Sequence, residues 1–490
     1  MYGTSKPNQV FELARELFRR GNYGDAIKVY ERYLTLEEGR GPEAAAAMHG
    51  LAQSYLARDD ITSAQSWTDQ YYALSEAEDA KRVEPAYYLC RGLRERGHNK
   101  LAYYYYLYAK GLPMLSAETP TNPYIPVEPG IHEFLLDYEK SILWSYVGDV
   151  QERHSRLHGL GLSLDLLGMP GLPRYLRESV FSNLQYYVPH LRGLASILRP
   201  EKPTEDEWRH STPTFLDERT TLIRVVNYYI AEDGSYHVSP TAGGQVNTRL
   251  VLADTDKPFE VVLSPDFRNH ATAKGLLHPD AYILGLEDTR VVRDRAQNDT
   301  VYTLSASAQY SEDGRTMNQV LSVLDLANLT HTIQNVIKGP YANRHDKNWV
   351  FAGGIDNVVY GWYPSIEIGS IDPITGEFQL HTAIQSPPSF DGMRGSTNGV
   401  EFEGEWWFVT HAVIYRAGQM RKYLHRLVVL DSQLKTVVRH SMPFTFEQNS
   451  DVEYCLGLLV DSRGLAFGYS VRDRSSKMLQ VSWRDVGELF

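Results

Sequence analysis

Tyr282-Ile-Leu-Gly-Leu-Glu-Asp-Thr-Arg-Val-Val292 is the stretch around which the rest of the chain is read. It reads as a strand, a turn carrying Glu287 and Asp288, and a second strand that starts at Arg290. The apolar flanks predict burial in a sheet. The acidic pair then sits at a strand end, where a sheet protein presents charge to a cleft. Two adjacent carboxylates beside an arginine are costly to desolvate unless the arginine holds one of them ionised. A solvated β-turn with an incidental ion pair is the plainer alternative.

The surroundings of this stretch are all-β. From Phe215 onward short strands alternate with Gly, Asp, Asn or Pro turns. Examples are Leu222 to Ile230, Val301 to Ser305, Trp406 to Val413 and His425 to Leu430. Glu232-Asp-Gly234, Glu312-Asp-Gly314 and Thr375-Gly376 have hairpin chemistry. A segment of about 275 residues built this way fits a five-bladed propeller of about 45–55 residues per blade. The blades are expected to begin near residues 215, 282, 347, 397 and 450. A pair of β-sandwiches is the alternative architecture. In a propeller, residues far apart in sequence converge on one central funnel.

Gly285-Leu-Glu-Asp-Thr-Arg290 resembles the Gly-x-Glu-Asp-x-Arg signature of five-bladed propeller enzymes that act on mannosides, the inverting mannoside phosphorylases and the related β-1,2-mannosyltransferases. That group usually has Pro at the position of Thr289. The resemblance implies that Asp288 is the acid or base and that Glu287 and Arg290 position and tune it. Lys347, in His345-Asp-Lys-Asn-Trp349, corresponds to a phosphate-contacting lysine of the group, with Asn348 beside it. Arg394-Gly-Ser-Thr-Asn398 resembles an Arg-Gly-Ser-Ser turn of these enzymes. His411 and Tyr415 have the His-x-x-x-Tyr spacing of the group's phosphate-binding pair.

Further candidates come from the residues themselves. Arg224 and Tyr228 share one face of the first strong strand and Asn227 lies on the other. An arginine within an apolar strand calls for a carboxylate or a sugar, or else a buried structural pair. Arg421, Tyr423 and His425 alternate on one face and predict an anion-binding wall, with a solvated edge strand as the alternative. Glu453 opens the last blade's inner strand, in reach of sugar hydroxyls.

The first two hundred residues have a different period. Gly21-Asn-Tyr-Gly-Asp-Ala-Ile-Lys-Val-Tyr30 resembles a tetratricopeptide repeat, with apolar residues at helical spacing on both sides. Ala26, Ala64 and Ala102 recur 38 residues apart, slightly longer than the usual repeat of about 34. A degenerate fourth unit is read from Phe134 to Leu157. The proline-rich tract from Ser116 to Pro129 breaks the helices, and helix is expected again from Ile131 to Leu198. Residues 1–200 are thus expected to form a helical array, 201–212 a linker and 213–490 the propeller. Stacked helix pairs make a concave surface that suits a protein partner. Tyr103 to Tyr106 and Tyr108 cannot all face one core, because a helix turns about 100° per residue.

Composition narrows the function classes. A formal net charge of −12 argues against non-specific nucleic-acid binding. No apolar run approaches the length of about 20 residues that spans a bilayer. Cys90 and Cys455 are the only cysteines, so a reducing, cytoplasmic setting is expected. No Asp-x-Asp metal motif stands out, and neither a metal nor a cofactor is predicted. The leading expectation is a glycosyltransferase-like enzyme acting on a sugar, sugar-phosphate or nucleotide-sugar, with inversion at the reacting carbon. Lys347, His411, Tyr415 and Arg421 would hold the phosphate. Transfer is preferred to phosphorolysis because a partner-binding array suits glycan assembly. One alternative is a non-catalytic interaction scaffold. Another is a glycoside hydrolase, for which Glu453 is the only second carboxylate the sequence offers.

Overall fold

The computed structural model describes residues 7–36, 42–74, 82–112, 122–125, 127–148, 153–199, 208–239, 244–254, 260–263, 265–267, 278, 280–341, 346–415, 421–448 and 452–490. The chain divides into two compact units, Met1–Tyr187 and Val188–Phe490.

The first unit is a stack of helix pairs. Pro7–Arg19 pairs with Tyr23–Leu36, Pro42–Ala57 with Ile61–Ala73, and Glu84–Glu95 with Asn99–Gly111. Each turn between paired helices needs one left-handed residue. Gly21, Asp59 and Gly97 take that conformation and lie 38 residues apart, like the alanines. Ala26, Ala64 and Ala102 are fully buried in the second helix of each pair, where only a small side chain lets the helices close. Leu136–Val147 and Arg153–Leu167 form a fourth pair, which runs ten residues beyond the expected end at Leu157. Of the tyrosine run, Tyr105 and Tyr106 are buried and Tyr104 is exposed. In the proline-rich tract, the described residues run as a loop across the array. Ile125 joins the first helices' core, and Asn122 donates to the Pro42 carbonyl.

Five sheets in a closed ring form the second unit, a five-bladed β-propeller. The inner strands are Arg209–Phe215 in blade I, Glu287–Asp294 in II and Val350–Gly354 in III. Blade IV has the short pieces Arg394–Gly395 and Val400–Phe402, and blade V has Glu453–Asp461. The expected starts near 282, 347, 397 and 450 fall within a few residues of these. The start of blade I lies earlier than the expected 215.

Each blade is packed between two neighbours, so that, while outer strands such as Phe378–Gln385 stay largely exposed, its middle strands bury both faces. That explains the near-continuous apolar runs in Glu405–Tyr415 and Arg421–Asp431, which pair along their whole length. The outermost strand of blade V is Leu194–Arg199, which pairs antiparallel with Ser475–Ser482. The start of this unit therefore closes the ring against its end. Two expectations are corrected here. Helix does not continue to Leu198: Arg174–Asn183 is the last described α-helix of the first unit, a single 3-10 turn follows at Leu184–Tyr186, and the chain then turns to strand. Of the expected linker, Arg209 to Thr212 belong to a blade, and 201–207 lie outside the described residues.

Candidate active site

The inner strands all run from one mouth of the ring to the other. Residues from their later parts, among them Phe215, Asp294, Gly354, Glu401 and Leu459, line with Asp217 and Asp356 a cavity of about 610 Å³. Val291, Val292 and Asn398, from stretches singled out in the sequence, border that cavity, but none of the candidate catalytic or substrate-binding residues does. Their first residues converge on the opposite mouth. Ser211 comes from blade I, Glu287 and Asp288 from II, Lys347 and Asn348 from the lead into III, Ser396 from IV and Tyr454 from V.

Blade II supplies the acids through an irregularity rather than the expected turn. Glu287 and Asp288 are already in the strand, and the pairing register slips between Glu287 and Arg290. Asp288 takes a left-handed conformation at φ 49°, so the two carboxylates leave the backbone in different directions. Gly285, at φ 91°, precedes them. A side chain there would collide with the Thr248 carbonyl oxygen.

The arginine that serves the acids is Arg224 of blade I, not Arg290. Arg224 donates from Nη1 to Asp288 Oδ1 at 2.9 Å and from Nη2 to Glu287 Oε1. It also donates from Nε to Thr248 Oγ1 and from Nη2 to the Tyr228 hydroxyl, each at 3.1 Å. Lys347 donates to Glu287 Oε2 at 3.1 Å. Glu287 is thereby held between two cations. Burial pushes its carboxyl up, but Arg224 and Lys347 outweigh burial and hold it below the usual range. Asp288 goes the other way. Burial raises its carboxyl, the charge on Glu287 adds to the rise, and Arg224 opposes it. Asp288 is also the more accessible of the two, its side chain 14% exposed against 6% for Glu287. Adjacent carboxyls pushed apart in this way are suited to different proton-transfer roles.

Arg290 braces the ring instead. Fully buried, it donates to the Ser396 and Asp288 carbonyls at 2.9 Å and to the Tyr454 hydroxyl at 3.0 Å. Tyr454 in turn donates to Asn348 Oδ1 at 3.0 Å. One guanidinium thus ties blade II to IV and V, and Asn348 acts as part of that frame.

The expected anion wall is only partly present. Arg421, Tyr423 and His425 do alternate on one strand, but the strand descends from the rim into the core. Arg421 lies at the rim, where it donates to the Tyr236 hydroxyl at 2.6 Å and lies over that ring. Tyr423 stacks on His411 at 5.7 Å, with Tyr454 edge-on to His411 at 5.1 Å. His425 is deeper, packed on Phe444 and Phe446, and burial drives it down to about 3. It is a neutral core residue, and its place in the wall is corrected.

His411 is held well below its usual value by burial, with His425, Arg394 and Arg290 adding to the effect. Its Nδ1 lies 2.8 Å from Ser396 Oγ. It can offer one N–H but no charge. Arg394 pairs with His411 across the sheet and is exposed. The side chain of Tyr415 lies outside the described residues.

Two further candidates are spent on structure. Asn227 donates to the Gln245 carbonyl at 2.9 Å and accepts from the Asn247 amide at 2.8 Å, pinning the end of its strand. Glu453 is fully buried and accepts from the Phe446 and Glu447 amides at 2.5 and 3.3 Å. Burial pushes its carboxyl up to about 8. It faces a loop rather than the mouth, so it is corrected from sugar contact and from second carboxylate.

Sequence reasoning missed Asp473, on the turn between Gly464–Val471 and Ser475–Ser482. It accepts from Ser211 Oγ at 2.5 Å and from the Tyr228 hydroxyl at 3.1 Å. It also missed Tyr454, one residue after Glu453, and Tyr236. Val-Arg-Asp-Arg-Ser475 has the composition of any solvated hairpin tip, so only the closure of blade V on blade I gives Asp473 its neighbours. Among the described residues, no three His, Cys, Asp or Glu side chains cluster as metal ligands would. None of the described helices is long and apolar enough to cross a membrane.

No protein-family model matches the chain, and no curated protein matches it. Solved structures align with parts of it. A glycosyl hydrolase from Bacteroides ovatus aligns over 61% of this chain and 94% of its own, at 10% identity and a TM-score of 0.42. An α-L-arabinanase of Penicillium chrysogenum complexed with arabinobiose aligns over 59% and 98%, at 10% identity and a TM-score of 0.34. A Podosopora anserina protein with nearly identical TPR-like repeats aligns over 38% and 87%, at 17% identity and a TM-score of 0.27. The fold assignment rests on the ring of sheets and the stacked helix pairs, not on these likenesses.

Proposed function

We propose that the propeller is a carbohydrate-active domain that transfers a glycosyl unit between a hydroxyl and a phosphate, with inversion, using Asp288 as the acid or base. The observation that carries this reading is the geometry at the mouth where all five blades contribute side chains: Glu287 is held between Arg224 and Lys347, and Asp288, more accessible, shares only Arg224 among the described cations.

In the cleavage direction Asp288 gives its proton to the glycosidic oxygen. A phosphate oxygen then attacks the anomeric carbon from the opposite face, and a sugar 1-phosphate leaves. In synthesis the acceptor hydroxyl returns its proton to the Asp288 carboxylate as the donor's phosphate departs. A phosphorylase and a transferase are the two directions of one chemistry. Asp288 serves both directions, protonated at the start of cleavage and ionised at the start of synthesis. Tyr423 and Tyr454, half-buried on either side of the buried His411, offer aromatic surface to a sugar ring. Arg394 and Arg421 border the mouth and supply charge for phosphate. Hydrolysis is less well supported, because Glu453 is sequestered and Asp473 is committed to Ser211 and Tyr228. The helical array, with its stacked pairs, is proposed to bind a protein partner.

The test is a ligand-induced thermal shift screen with nucleotide sugars, sugar phosphates and unphosphorylated sugars. A phosphate-bearing ligand should stabilise the protein, and Arg421→Ala should lose that shift while unfolding at the same temperature without ligand. Stabilisation by neutral sugars alone, unaffected by Arg421→Ala, would remove phosphate from the proposal.

A further inference from the structure

Asp473 is a carboxylate that the reaction above does not use, yet it faces the same groups. It lies on a turn whose two residues, Arg472 and Asp473, are both left-handed at φ 51° and 53°. That turn carries the carboxylate from blade V over the seam to blade I. There it takes the hydroxyl hydrogens of Ser211 and Tyr228. Tyr228 is buried, and burial pushes its phenol far up, so the hydroxyl keeps its hydrogen. With that hydrogen directed at Asp473, the phenol oxygen is left to accept from Arg224 Nη2 at 3.1 Å. Arg224 spends its remaining Nη hydrogen bonds on Glu287 and Asp288. A continuous chain of hydrogen bonds thus runs from Asp473 through Tyr228 and Arg224 to the acid pair.

We propose that Asp473 is a positioning residue for the acid pair: by orienting the Tyr228 hydroxyl it fixes where Arg224 points and how that guanidinium is shared between Glu287, Asp288 and the phenol. This rests on Asp288 being the acid or base of the proposed reaction. The groups that face Asp288 are Glu287, Arg224, Lys347 and Arg290, with the Tyr423 and Tyr454 phenols nearby. Removing the negative charge of Asp473 frees Arg224 to serve Asp288 more fully, which favours the carboxylate. The alternative is that Asp473 is a strut closing blade V on blade I, acting through Ser211 as much as through Tyr228.

The experiment follows the Asp288 carboxyl in the intact chain by carbon NMR of carboxyl-labelled aspartate, with the signal assigned by its loss in Asp288→Asn. Asp473→Asn and Tyr228→Phe should each move the Asp288 midpoint to lower pH. With a substrate turned over in the cleavage direction, where Asp288 must carry its proton, turnover on the alkaline side should fall about threefold or more. Ser211→Ala, which leaves the Tyr228 link in place, should not move the midpoint. An unmoved midpoint in folded Asp473→Asn, or an equal displacement in Ser211→Ala, overturns the proposal. If Asp473→Asn fails to fold, Tyr228→Phe decides alone. A wild-type Asp288 that titrates in the ordinary carboxylate range would instead remove the acid assignment itself, whatever the variants do.

Discussion

At the scale of single residues, burial separates the candidates that chemistry alone could not. Glu453 and Asp288 are both carboxyls at the start of an inner strand, and both are raised. Asp288 opens on the mouth, whereas Glu453 is enclosed with two backbone amides. The consequence for Glu453 is a stability effect. Its folded value of about 8 lies above the unfolded value near 4.5, so between those limits the folded chain binds the extra proton. Stability from this group is complete below the lower limit and is lost as pH rises through the upper one. Glu453→Gln, which stays neutral, should therefore lose less stability than wild type between about pH 5 and pH 8. The difference should be a few kcal/mol at most. Urea denaturation at a series of pH values measures it, and equal slopes for the two proteins would count against the assignment.

At the scale of elements, the acid pair depends on how blade II begins. Gly285 donates its amide to Gln309 Oε1 at 2.9 Å, and its carbonyl accepts from Ser307 Oγ at 2.7 Å. Both bonds set the entry to the strand just before Glu287. Gly285→Ala should cost about 1–3 kcal/mol from backbone strain and the clash with Thr248. It should also weaken sugar-phosphate stabilisation, because the bulge carrying Asp288 moves. Thermal unfolding with and without ligand separates the two effects.

Much of this level was legible in the sequence. Gly21, Gly97 and the three alanines mark the helix pairs, and the starts of four blades fall near their expected places. The acid pair and Arg224 could be named because charged residues within apolar strands are conspicuous. The errors have a common cause. Alternation gives the face of a strand but not its depth, so His425 resembled Arg421. Pairing partners far along the chain were also invisible, so Leu194–Arg199 read as the end of a helix and Asp473 went unremarked.

At the scale of the whole molecule, ring closure is the feature that a single strand decides. Leu194–Arg199 supplies the outer strand of blade V, and without it Ser475–Ser482 becomes an open edge. Residues 188–490 should therefore fold as an isolated fragment. A fragment starting at 208 should unfold at a distinctly lower temperature or associate through the bare edge. Calorimetry and sedimentation of the two fragments test this, and equal stability with no association would show that the strand is dispensable.

The central claim is that Asp288 exchanges a proton with the sugar's bridging oxygen. The most direct test is the turnover of Asp288→Asn on whichever sugar phosphate or nucleotide sugar stabilises the wild-type protein. A loss of about 100-fold or more in turnover is expected, with ligand stabilisation retained. Turnover within a few-fold of wild type, in a variant that still folds and binds, would contradict it.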